Sequence, residues 1–225
     1  MESDSQSDIK TLLPAVGISI FLILIIGLAV TRAKSQKGTI VLPGGVTYLG
    51  PTPTPTPANG AKFDSVMGGQ IPIPDSAQWV EQKGKLFPYS FAYPNTISLG
   101  VFPNDPYDSV TVFYNGTDAQ GNLFFRIEDL TQLQKVSFIT KPKIEYVNQW
   151  WKDYSWSGVS SVTPFTNSKG LKGYRAKYID SKGQTPYDHV FFEVPNNKNL
   201  LIWISGKLFS QTVFDKLVDS VSWSK

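Results

Sequence analysis

Residues 11–31, TLLPAVGISIFLILIIGLAVT, run for 21 positions without a charge. At about 1.5 Å of rise per residue a helix of this length covers the roughly 30 Å hydrocarbon core of a bilayer. The expectation is a transmembrane helix that stays on the mature chain. Its apolar stretch, 12–30, exceeds the core of a secretory signal and leaves through Thr31-Arg32-Ala33-Lys34 with no small-x-small cleavage site. Pro14 falls in the first turns, where a missing N–H does least harm.

After this run the pattern loses its period. Residues 38–62 carry Gly and Pro too densely for a helix. Residues 51–57 alternate Pro and Thr strictly, which favours an extended polyproline II rod of about 3.1 Å per residue. The stretch predicts a stiff spacer between membrane and domain. Two short apolar pieces, 39–42 and 46–49, fit either docking on the domain or staying mobile.

From residue 75 the alternation becomes that of a folded unit. Asp75 or Ser76 can cap a short turn through Val80. Residues 87–93, FPYSFAY, put Phe87, Tyr89, Phe91 and Tyr93 on one face at period two, a half-buried strand stopped by Pro94. Residues 109–114 and 123–128 are β-rich runs joined by the polar loop 115–122, a hairpin. Further strands are predicted at 173–179, 189–194 and 200–205. Thr140 can cap a helix with Ile144, Val147, Trp151 and Tyr154 on one stripe, and Ser210 one with Val213, Phe214, Leu217, Val218 and Val221.

Strands outnumber helices, and several neighbours are close enough in sequence to pair antiparallel. The expected fold class is α+β, an antiparallel β-sheet flanked by helices. The expected organisation is a polar tail at 1–10, the transmembrane helix at 11–31, a basic juxtamembrane segment and Pro/Thr-rich linker at 32–74, and a globular domain at 75–225. The size of that domain suffices for its own core.

Three segments resemble the PsbP-like superfamily. Residues 87–94, FPYSFAYP, are similar to its opening strand, 170–180, GLKGYRAKYID, to its central strand, and 214–223, FDKLVDSVSW, to its closing helix. What the resemblance implies is an α/β/α sandwich with a non-catalytic role beside a membrane complex or envelope component. It brings no ligand with it.

Charge removes nucleic acid from the partners. The net +3 divides into five basic and three acidic side chains in residues 1–62, and sixteen against fifteen in 63–225. A nearly neutral domain has no basic groove of the kind that neutralises phosphates. Arg32, Lys34 and Lys37 read as a juxtamembrane cluster at lipid headgroups. By the positive-inside rule they place the C-terminal side in the cytoplasm. A Pro/Thr spacer carrying a cysteine-free, aromatic-rich β domain points the other way. Large domains also translocate against such a bias, and an extracytoplasmic domain at the cell membrane is the expectation.

Candidate chemistry is sparse. His189, the only histidine, opens a strand, and neither G-x-S-x-G nor S-x-x-K supplies a nucleophile for it. With one His and no Cys, zinc lacks its usual ligands. The oxygen-rich loops at 104–108 and 115–118 offer donors to calcium, but neither follows EF-hand spacing, and turn chemistry accounts for both. Asn115-Gly116-Thr117 is a formal glycosylation sequon. No metal and no cofactor are expected.

The binding candidates are Tyr146 and Trp150, which the stripe above leaves near water, where aromatics can anchor a partner. Their alternative role is to cover the sheet edge with the Tyr hydroxyl left wet. The functional expectation is a single-pass membrane-anchored, non-enzymatic binding module. It contacts lipid through its helix and a protein or envelope polymer through its domain. The alternative is a structural or assembly subunit of a membrane complex.

Overall fold

The computed structural model describes residues 47–49, 70–114, 121–154 and 156–224. The uncharged run at 11–31, the Pro/Thr alternation at 51–57 and the loop at 115–118 lie outside the described residues. Among the described residues no helix is long and apolar enough to cross a membrane. All of them belong to one compact unit, Ile40–Lys225.

Among the described residues twelve strands and two α-helices follow in order. They are β1 Thr47–Leu49, β2 Trp79–Lys83, β3 Tyr89–Pro94, β4 Leu99–Val101, β5 Val110–Val112, β6 Leu123–Asp129, α1 Lys143–Gln149 and β7 Gly158–Thr166. Then come β8 Lys172–Asp180, β9 Gly183–Gln184, β10 His189–Glu193, β11 Leu200–Ser205, α2 Gln211–Ser220 and β12 Ser222–Trp223. The main sheet runs β1-β4-β5-β6-β11-β10-β8-β7 with β9 on β8, and the smaller sheet runs β12-β3-β2. Every recorded pairing is antiparallel.

This corrects the expected α/β/α sandwich. Strands take 39% of the described residues and helices 16%, and the α-helices have seven and ten residues. One face of the main sheet is covered chiefly by the second sheet. There Tyr89, Phe91 and Tyr93 of β3 pack on Phe125, Ile127, Phe192, Ile202 and Ile204, with Phe214, Leu217 and Val218 of α2 closing the side. The opposite face carries α1 and a 3-10 turn at Trp150–Asp153, whose side chains meet Ala176, Tyr178, Phe191, Leu201 and Trp203. Burial on both faces explains why β10 and β11 read as nearly continuous apolar runs, since Phe191 and Phe192 point to opposite faces.

The strands absent from the sequence expectation share a cause. β7, GVSSVTPFT, is exposed or half-buried along its length, so Ser160, Ser161 and Thr163 dilute any apolar period, and Pro164 argues against a strand. It tolerates Pro164 because it is the edge of the main sheet. β2 lies in the smaller sheet with its second, third and fifth residues exposed.

β1 settles the role of residues 47–49. Thr47, Tyr48 and Leu49 pair with Val101, Gly100 and Leu99 of β4. The folded unit thus takes a strand from ahead of the Pro/Thr alternation, which becomes a connection from β1 to the rest of the unit. Only residues 32–46 separate the uncharged run from β1, at most roughly 50 Å of fully extended chain.

Candidate functional site

Tyr146 and Trp150 are core residues, 1% and 3% exposed. The periodicity was right and its phase was not. The buried positions of this segment are Lys143, Tyr146, Val147 and Trp150, a regular i, i+3, i+4, i+7 stripe. Lys143 belongs to it because its ammonium donates to the carbonyls of Phe138 and Ile139 at 2.7 and 3.0 Å. The helix begins at Pro142 with no side-chain cap, so Thr140 does not serve as one. Ser210 does cap α2, accepting from Val213 N–H at 3.4 Å.

Tyr146 leads to a buried charge centre. Glu128 on β6 is fully enclosed. Its Oε2 accepts from Lys135 Nζ at 2.5 Å and from the Tyr146 hydroxyl at 2.9 Å. Its Oε1 accepts from the Tyr154 hydroxyl at 3.1 Å and faces Arg126 Nε at 3.7 Å. Burial alone would raise this carboxyl, but Lys135 and Arg126, with hydrogen bonds from Lys135 and Tyr146, outweigh it and hold its pKa at about 2. Burial and the Glu128 charge push both tyrosine hydroxyls upward. Arg126 also lies 4.8 Å from the Tyr107 ring centre. Lys135, Tyr146 and Tyr154 donate to this carboxylate, while the buried Arg126 Nε faces it as an ion pair without a hydrogen bond, so the centre fastens the β6–α1 connection to the sheet.

Trp150 leads to His189. The imidazole is surrounded by the rings of Trp150, Trp156, Tyr178, Tyr187 and Trp203, with centroids 5.1 to 5.8 Å away. Its Nδ1 accepts the Trp203 indole N–H at 3.1 Å. Burial lowers its pKa to about 3, with Asp188 opposing and Lys207 adding to the shift. A ring so enclosed is neutral near pH 7 and has no exposed nitrogen with which to reach a substrate.

Asp188 performs a third fastening. Arg175 Nη1 joins its Oδ2 at 2.8 Å to Asp215 Oδ1 of α2 at 2.7 Å, and Lys177 stands 3.3 Å from its Oδ1. In the 104–108 loop, read above for its oxygens, one oxygen of each aspartate meets backbone donors, while Asp105 Oδ1 is buried without a partner. Asp105 Oδ2 accepts from Ser109 N–H at 2.7 Å, and Asp108 Oδ2 from Leu86 and Phe87 N–H at 2.8 and 3.0 Å. Among the described residues no group of three or more His, Cys, Asp and Glu could share a metal ion.

Among the described residues two concave features are open to solvent, a shallow one of about 320 Å³ along β7 and β8 beside Phe165, Tyr174 and Glu193, and a cleft of about 310 Å³ between the β2–β3 hairpin and the β4–β5 loop. Val101, Phe102 and Pro103 give it an apolar wall, Tyr89 and Ser109 line it further, and Gln82, Lys83 and Lys85 come from the hairpin. Asp108 pins the two walls together, with φ of +47°. Gly84 makes the hairpin turn possible, because a Cβ there would stand 2.1 Å from Phe87 O and 2.6 Å from the Tyr89 ring. Lys85 Nζ donates to the Pro103 carbonyl at 2.9 Å, and Lys83 stands 3.4 Å from Glu81. Sequence reasoning missed the cleft because β2 and β4 were not predicted as strands; the signal was Lys-Gly-Lys at 83–85 just before the aromatic strand. No protein-family model, no curated protein and no solved structure matches this chain.

Proposed function

We propose that this protein is a membrane-tethered, non-catalytic binding module whose domain stands on the extracytoplasmic side of the cell envelope. The uncharged run at 11–31 is the tether. Its partner on the domain side is a protein or an envelope polymer; the near-neutral domain disfavours nucleic acid. The observation that carries the reading is that three buried ionisable groups are engaged by neighbours within the fold. Glu128 is held by Lys135 and Arg126, Asp188 by Arg175 and Lys177, and His189 by Trp203. They support a rigid scaffold, and recognition falls to the surface, where the cleft beside Lys83 and Lys85 is one available feature.

The test is the native size of the full chain after mild detergent extraction from its own membrane. A free binding module migrates at the mass of its detergent-bound monomer or small oligomer. Migration with a large assembly through every purification step contradicts the reading and establishes a structural subunit instead.

A further inference from the structure

Six buried side-chain nitrogen and oxygen atoms among the described residues have no hydrogen-bond partner. Four of them have a counterpart of another kind. Arg126 Nε and Asp188 Oδ1 face opposite charges at 3.7 and 3.3 Å, and the nitrogens of Trp150 and His189 lie within the ring cluster around the imidazole. The two left over are the Ser109 hydroxyl and Asp105 Oδ1, on residues joined by the bond from Ser109 N–H to Asp105 Oδ2. Ser109 is 1% and Asp105 3% exposed. Polar groups so enclosed are costly to leave unpaired. Together they ask for a partner that donates to a carboxylate oxygen and pairs with a hydroxyl.

Ser109 lines the cleft between the β2–β3 hairpin and the β4–β5 loop, and Asp105 stands behind it. The two walls are tied together at two places, by Lys85 to the Pro103 carbonyl and by Asp108 to Leu86 and Phe87 N–H. The Tyr89 hydroxyl is committed to the Asp108 carbonyl at 3.2 Å. Charge is matched throughout. Lys83 is paired with Glu81 at 3.4 Å, Lys85 shares the cleft with Asp108, and Asp105 acts on Arg126 behind it. An ionic ligand of either sign therefore finds no unmatched countercharge, and a neutral ligand rich in hydroxyls meets both unpaired atoms.

We infer that this cleft is a saccharide subsite, taking one neutral sugar unit with its C–H face on Phe102 and Pro103 and its hydroxyls toward Ser109 Oγ and Asp105 Oδ1. A sugar hydroxyl both donates and accepts, so one serves the carboxylate oxygen while its neighbour pairs with the serine. An apolar wall with a few polar groups is the usual make-up of a small-ligand site, and about 310 Å³ falls at the small end of such sites. The inference rests on the reading of the domain as a non-catalytic binding module, and it names the ligand as the sugar unit of an envelope polymer.

The test uses the full chain in a detergent without a sugar headgroup. The ligands are the methyl glycosides of glucose, mannose, galactose and N-acetylglucosamine, and the readout is saturation-transfer difference NMR. At least one glycoside is expected to receive saturation, and glucuronate and glucosamine to receive less than that one. Ser109→Ala removes a hydroxyl without a partner, so Tm is expected to stay or rise while affinity falls about threefold to tenfold. Asp105→Asn keeps an acceptor for Ser109 N–H and puts an amide in place of the free oxygen; it is expected to weaken binding likewise. No saturation of any of the four glycosides overturns the inference, as do binding unchanged in both variants and preference for a charged sugar. A Ser109→Ala chain that loses stability in step with binding gives the hydroxyl a structural role and overturns it too. Each of these results leaves the binding-module reading, tested by native size, in place. Release of methanol from a glycoside shows hydrolysis and overturns that reading together with the inference.

Discussion

The indole N–H of Trp203 donates to Nδ1 of His189 at 3.1 Å, which assigns the proton of the neutral ring to Nε2. A second proton on the ring would face a donor. With burial as the first cause, the folded pKa is about 3 against an ordinary 6.5. Between those values the unfolded chain binds a proton that the folded one refuses, so the contribution to stability is complete above about pH 6.5. It falls by about 1.4 kcal/mol per unit below that. Denaturant titrations at about pH 7 and about pH 4.5 check this. His189→Asn, which keeps an acceptor for Trp203 without titrating, is expected to remove most of the slope in that window; an unchanged slope contradicts it.

Glu128 acts in a lower window. Its pKa, held near 2 by Lys135 and Arg126 against the effect of burial, means its contribution is present above about pH 4.5 and is lost as pH falls toward 2. Glu128→Gln leaves two enclosed cations without their counter-charge, and unfolding free energy is expected to drop by about 3–5 kcal/mol. Adding Lys135→Met is expected to recover part of that loss. A double variant no better than the single one contradicts the assignment.

Trp150 touches the rings of Tyr154, Tyr178, Phe191, Trp203 and His189. Removing a buried aromatic of this kind costs about 3–5 kcal/mol. For a unit of this size Trp150→Ala is therefore expected to lower Tm by about 10 °C. An unchanged Tm in a scanning calorimeter would return Trp150 to the surface role its sequence position suggests.

The strands carrying long aromatic or β-branched alternation were legible: β3, β6, β8, β10 and β11, and also α2 with its Ser210 cap. The β5–β6 hairpin was legible too, although a register shift lies between Val110 and Thr111. The stripe of α1 was displaced because Lys143 and Tyr146 are polar at their tips and apolar along their bodies. Only the tertiary partners, Glu128 and the carbonyls of Phe138 and Ile139, reveal that those tips are satisfied inside. β7 and β2 escaped notice because edge and half-exposed strands have no obligation to alternate. The candidate cleft depends on which loops Asp108 joins, a contact spanning more than twenty positions that no local pattern encodes.

Thr47 and Val101 are register partners, and antiparallel neighbours sit at about 4.5–5.5 Å between Cα atoms, within the span a disulfide bridges. In this cysteine-free chain, Thr47→Cys with Val101→Cys is expected to oxidise spontaneously. After proteolytic cleavage between residues 50 and 69, the N-terminal fragment carrying β1 is then expected to stay joined to the domain until a reductant is added. Separation of the two fragments without reductant contradicts the pairing of β1 with β4.

Protease treatment of intact cells, followed with an antibody against the folded domain, tests the central claim most directly. On the proposed tethering and orientation, the domain is expected to leave the sedimented cells and appear in the supernatant as a fragment lacking residues 11–31. A domain that remains cell-associated and becomes cleavable only after lysis contradicts the account.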